Sequence, residues 1–129
     1  MAPEPNVILH IAPRLDWERA KEAGEYRPPS LESEGFIHFS TPSQVVEVAN
    51  ALYAGRDDLV LLVVNPAQLT APLRWEAPVG GGGAEPAGPF PHLYGPLPVE
   101  AVATVVEFAP GPEGAFTLPD AVIALLGGG

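Results

Sequence analysis

The run Leu59-Val-Leu-Leu-Val-Val64 constrains this chain more than any other feature. Its residues are apolar at every position, so no face is left for water. Such a run, closed by Asn65, reads as a strand buried on both sides and demands a layer of structure against each. It is far too short to cross a bilayer, which takes roughly 20 apolar residues as a helix. The chain opens Met-Ala-Pro-Glu-Pro-Asn, neither basic nor followed by an apolar core of signal-peptide length. It has no cysteine, so disulfides and thiolate zinc sites are excluded. Together these features lead us to expect a soluble, cytoplasmic protein.

The remaining segments are arranged around that strand. Val7 to Ile11 reads as a buried first strand. A helix is expected over Pro13 to Ala23, with Leu15, Ala20 and Ala23 inward, stopped by Gly24. Glu25 to Ser30 cannot continue that helix, because Pro28 and Pro29 lack donors and force extended geometry. Gly35 to Ser40 reads as the second strand. Thr41-Pro42 then starts a helix, with Thr41 as its cap and Val45, Val48, Ala49 and Leu52 inward, running up to Gly55. Further strands are expected at Leu73 to Ala77 and Val102 to Phe108, and a short helix at Leu118 to Leu126. The order indicates an α+β fold in one domain, residues 1–129. Its core spans about residues 7–108, with a variable tail at 109–129. The glycine-rich stretch 80–89 lacks the Lys-Ser/Thr ending of a phosphate-binding loop and reads as a surface loop.

The formal charge of −10 comes with only six Lys and Arg. Arg14, Arg19 and Lys21 share one helix, Arg56 sits in a turn, and Arg27 and Arg74 stand apart. No basic stripe can be built from them, so a long nucleic acid is not an expected partner. A small-molecule ligand needing one or two cations is.

Each histidine sits among apolar or aromatic neighbours: Ile8-Leu-His10-Ile, Phe36-Ile-His38-Phe and Phe90-Pro-His92-Leu-Tyr94. Burying an imidazole costs free energy unless both nitrogens find partners. We therefore expect His10, His38 and His92 to meet at one pocket, against the alternative of three separately satisfied core residues. Arg74 and Glu76 share one face of their strand, with Trp75 opposite. Glu76 is a candidate base or orienting carboxylate for a histidine, and a solvated Arg–Glu pair is the competing reading. Ser40 and Thr41, before a helix, are candidates for binding an anion. Tyr26 and Arg27, before two prolines, are candidates for a pocket wall, against the alternative of a turn that merely tolerates them.

Five stretches, I-L-H-I, Y-R-P-P-S-L-E-S-E-G-F-I-H-F-S-T, D-L-V-L-L-V-V-N-P-A-Q-L, R-W-E-A-P and F-P-H-L-Y-G-P-L, resemble the bacterial domain-of-unknown-function 952 family (DUF952) in that family's order, from about Val7 to Phe108. That family is similar in fold to the ADP-ribosyltransferase and RNA 2′-phosphotransferase group. The resemblance implies two small, mostly antiparallel sheets forming a cleft with two flanking helices, and NAD or a related nucleotide as ligand. It implies that His10 holds the ribose, that His38 or Tyr94 packs on the base, and that Glu76 or His92 stands where such transferases carry a glutamate. Two other function classes stay open: a metal-dependent hydrolase or metal-binding protein using the three imidazoles with Glu76 or water, and a non-catalytic ligand-binding module.

Overall fold

The leucine and valine run does become the middle of a sheet. In the computed structural model, which describes residues 7–76 and 89–127, Leu59–Val64 forms strand β4, paired on one edge with β1 (Ile8–Pro13) and on the other with β8 (Val102–Phe108), both antiparallel. All six β4 residues are buried. The strand period of two divides them. Leu59, Leu61 and Val63 pack with Leu9, Ile11 and Phe108 against helix α3 (Val45–Leu52) and against Phe116 and Val122. Val60, Leu62 and Val64 face the other way, with Ile8 and Ala12, into a second core. Each such side chain contributes roughly 1.5–3 kcal/mol through burial.

That second core is closed by a three-stranded sheet and by α1 (Arg14–Ala23). In the sheet, β6 (Phe90–Leu93) lies between β3 (Ile37–His38) and β5 (Leu73–Glu76), again antiparallel. Ile37, Phe39, Leu93 and Leu73 turn inward from it. A two-stranded ribbon, β2 (Glu25–Tyr26) with β7 (Leu97–Pro98), supplies Tyr26 and Leu97. The two larger sheets touch where Ser40 exchanges backbone hydrogen bonds of 2.7 and 2.8 Å with Leu9. The described residues thus form a small mixed α/β domain of antiparallel sheets with four helices, the others being α2 (Pro29–Ser33) and α4 (Asp120–Gly127). None of them is long and apolar enough to cross a membrane.

Several expectations need correction. Helix α1 turns Trp17 and Ala20 inward, while Leu15 is 59 % exposed. The large indole, three residues before Ala20, sets the buried side. As expected, α1 does not continue into the Pro28-Pro29 pair, where Pro28 is extended, but a new helix starts there: Pro29 occupies the first turn of α2, where its missing N–H has no partner to lose. Thr41 is not a helix cap. Residues 42–44 form a turn, α3 begins at Val45, and Gln44 Oε1 accepts the Thr41 N–H at 2.9 Å. The Thr41 hydroxyl meets Ser43 instead. Leu52, expected inward, is 72 % exposed. Of the stretch 80–89, all but Pro89 lies outside the described residues, as does Ala77 of the expected fourth strand.

Gly95 holds β5 and β6 together at their ends. A methyl group there would lie 2.5 Å from the Ala71 Cβ, beside the hydrogen bond from Tyr94 N–H to Pro72 O. Overpacking of this kind costs about 1–3 kcal/mol. Gly95→Ala should lower the urea midpoint by that equivalent at unchanged m-value. A change below about 0.5 kcal/mol contradicts the packing described.

Candidate functional site

Alternation along β3 decides which histidines meet. Ile37 and Phe39 point into the core between the sheets, so His38 between them points out the other side. On β6 the same rule sends Leu93 inward and His92 outward. Register then sets His38 beside His92, and His92 beside Arg74, across the outer face of the sheet. The two imidazoles stand edge to face with centroids 5.4 Å apart.

His92 is the centre of this group. Phe36 stacks on it at 4.1 Å and 16°, and the residue is 1 % exposed. Its Nδ1–H donates to Glu76 Oε1 at 2.8 Å. The Tyr94 hydroxyl donates to the same oxygen at 2.6 Å. These two bonds, that of Tyr94 first, hold the Glu76 carboxyl below its usual range, and the carboxylate raises the Tyr94 phenol in return. With the proton fixed on Nδ1, Nε2 carries the lone pair, and among the described residues nothing bonds to it. No side-chain nitrogen or oxygen there is both sealed from solvent and unbonded. Nε2 therefore faces the sliver of surface the ring keeps.

The rim of the site is polar. His38 Nε2–H donates to Glu34 Oε1 at 2.9 Å. Gly35, at φ +90°, makes the turn that brings Glu34 back to this strand. The Arg74 guanidinium lies 5.4 Å from the Tyr94 ring centroid. Chemically, a carboxylate that fixes an imidazole tautomer and leaves the far nitrogen free makes a hydrogen-bond acceptor and a general base.

His10 does not belong to this face, which corrects the expectation of one pocket for three histidines. It lies on β1 among the residues facing the inter-sheet core, 8 % exposed, with its ring 5.5 Å from that of Phe39. Its Nδ1–H donates 2.5 Å to the backbone carbonyl of His38, not to its ring. Its Nε2 accepts the Tyr26 hydroxyl at 2.8 Å. Both nitrogens are satisfied, so His10 is a structural residue and has no donor or acceptor left for a ribose. Burial pulls it from its ordinary 6.5 down to about 4, and burial likewise raises the Tyr26 phenol.

The other candidates scatter. Ser40 is buried and tied by its backbone to Leu9. Arg27 bonds Glu25 and, with Tyr26, Asp16 and Arg19, lines an open groove of about 440 Å³ beside α1. Among the described residues, no three His, Cys, Asp or Glu side chains lie close enough to hold a metal ion. Sequence reasoning passed over Glu34, whereas strand alternation does put Phe36 on the His38 face. Nothing comparable marked Glu34, whose approach depends on the turn at Gly35.

A family model described as "Protein of unknown function (DUF952)" matches residues 11–105. The chain is also similar to protein CC0527 from Caulobacter crescentus. The X-ray structure of that protein is 34 % identical, covers 91 % of this chain and 98 % of its own, and has a TM-score of 0.77. Its solution NMR structure is 34 % identical over 90 % and 96 % of the two chains, with a TM-score of 0.75. No curated protein matches the chain.

The unfolded His10 ring takes up a proton near pH 6.5, whereas the folded ring resists until about 4. Between those values the unfolded state binds more protons, so stability from this residue is complete above pH 6.5 and is lost as pH falls to 4. The expected total is about 3 kcal/mol. In urea unfolding, the stability gap between the native chain and His10→Gln should shrink by about 2 kcal/mol from pH 7 to 4.5. A constant gap contradicts a neutral, buried His10.

Proposed function

The chain belongs to the DUF952 family, proteins of unknown function, and on that premise we propose that the sheet face around His92 binds NAD or a related nucleotide. One observation carries the proposal. His92 is nearly sealed from solvent, yet only one of its nitrogens is bonded. Nε2 opens onto the small surface the ring keeps, so it is an acceptor that an approaching ligand can reach. A ligand donor placed there takes over the hydrogen bond that Nε2 otherwise makes with solvent.

A sugar hydroxyl is the partner that suits a lone pair held at a fixed point. In this reading Nε2 accepts that hydroxyl proton and Glu76 keeps the ring in the required tautomer. Tyr94 anchors the carboxylate, and Phe36 closes the back of the ring. His38 is the neighbour within reach of the same ligand. The protein's part is to orient the sugar hydroxyl by accepting a hydrogen bond from it. The proposal extends the resemblance to the ADP-ribosyltransferase and RNA 2′-phosphotransferase group, with His92 rather than His10 as the residue meeting the sugar. A transferase activity belongs to the same proposal, and a ligand that binds but is never consumed marks a binding module instead.

A ligand at ten times its Kd stabilises by about 1.4 kcal/mol, roughly a 5 °C rise in Tm for a domain of this size. Millimolar NAD should raise Tm by several degrees in the native chain and by less than a degree in His92→Gln. No rise in the native chain, or an equal rise in both, contradicts the proposal.

A further inference from the structure

The six cations of this chain do not behave alike. Arg14, Lys21, Arg27 and Arg56 are each paired with a carboxylate, respectively Glu107, Glu18, Glu25 and Asp58. Among the described residues Arg19 and Arg74 are not. The chain carries sixteen Asp and Glu, and Arg74 feels the charge of Glu76 without forming a direct ion pair with it.

Arg19 lies on α1 at the open groove. Arg74 is placed differently. It stands directly across from His92 in the β5–β6 register. Its guanidinium lies over the Tyr94 ring, and that ring is fixed because its hydroxyl is donated to Glu76. Contact with an aromatic face orients a guanidinium while leaving its N–H edges unused. Glu76, two residues along the strand, is occupied at Oε1 by His92 and Tyr94 and makes no ion pair with Arg74. A planar cation with free donors is thus held next to an imidazole with a free acceptor.

We propose that Arg74 is the anion-reading residue of the His92 site, binding a phosphate oxygen pair on the ligand whose hydroxyl meets His92. This rests on the His92 site being a ligand site, and it narrows the ligand class to phosphorylated sugars, with nucleotide diphosphates foremost. Tyr94 then has two duties, as the platform for Arg74 and as the anchor of Glu76. The negative charge of Glu76 opposes an anion nearby, which is why the fork of Arg74 is required and a diffuse positive potential does not suffice. Two parallel charge-assisted hydrogen bonds from Arg to phosphate give specificity that a lysine point charge lacks.

The test measures binding of NAD, inorganic pyrophosphate and adenosine to the native chain, Arg74→Gln and Arg74→Lys, by calorimetry and by shifts of the Tyr94 and His92 resonances. The native chain should bind NAD and pyrophosphate, both weakened by salt. Arg74→Gln should lose about 10- to 100-fold in affinity for both, with adenosine changed by less than about 2-fold. Arg74→Lys should stay at least about 5-fold weaker than the native chain. NAD binding with equal affinity to the native chain and Arg74→Gln overturns the assignment of Arg74 and leaves the nucleotide reading standing. Pyrophosphate binding that depends on Arg74, without NAD binding, upholds Arg74 and removes NAD as ligand. Neither ligand binding the native chain overturns both.

Discussion

A strand with no polar face has to be covered twice, and β4 sets the architecture for that reason. One side of its sheet is sealed by α3 with Phe116 and Val122, the other by the second sheet with α1. Only the inner side of the second sheet is needed for covering β4, so its other side can carry polar side chains. Its strands still alternate, and the two sides of β3 and β6 therefore have opposite tasks. Ile37, Phe39 and Leu93 close the core, while His38 and His92 look outward.

This division separates histidines that sequence neighbours make look equivalent. His10 is buried and satisfied: a carbonyl takes its proton and a phenol fills its lone pair. It costs little to bury in this way and serves as a polar tie between the core and the backbone of β3. His92 is buried and half satisfied, with a carboxylate on one nitrogen only. Both rings are shielded, so burial alone does not distinguish them. The number of occupied nitrogens does, two in His10 and one in His92.

Much of the fold could be read from the sequence. The double-sided run, the first strand, the stop at Gly24, the strands at Leu73 and Val102 and the final helix all follow from local rules, and the motif order pointed to the family. What local rules missed was set by partners far away in the chain. Gln44 rather than Thr41 closes the turn before α3, and Trp17 rather than Leu15 supplies the buried side of α1. In the site, alternation placed Arg74 and Glu76 together, and His92 and Tyr94 together. Which of the three histidines shared that face depended on which way β1 and β3 turn relative to the core between the sheets. No spacing within one strand carries that information. Tyr26, read as a pocket wall, does line the groove beside α1, but its bond to His10 from 16 residues away was not legible for the same reason.

The account depends on one proton. If Glu76 holds His92 as described, the neutral ring carries hydrogen on Nδ1 and leaves Nε2 bare. Long-range nitrogen–proton NMR correlations of the ring at neutral pH read the tautomer directly. The account predicts the Nδ1–H form for His92, shifting toward a mixture in Glu76→Gln. An Nε2–H tautomer in the native chain contradicts it, because the nitrogen offered to a ligand would then be a donor with no base to give.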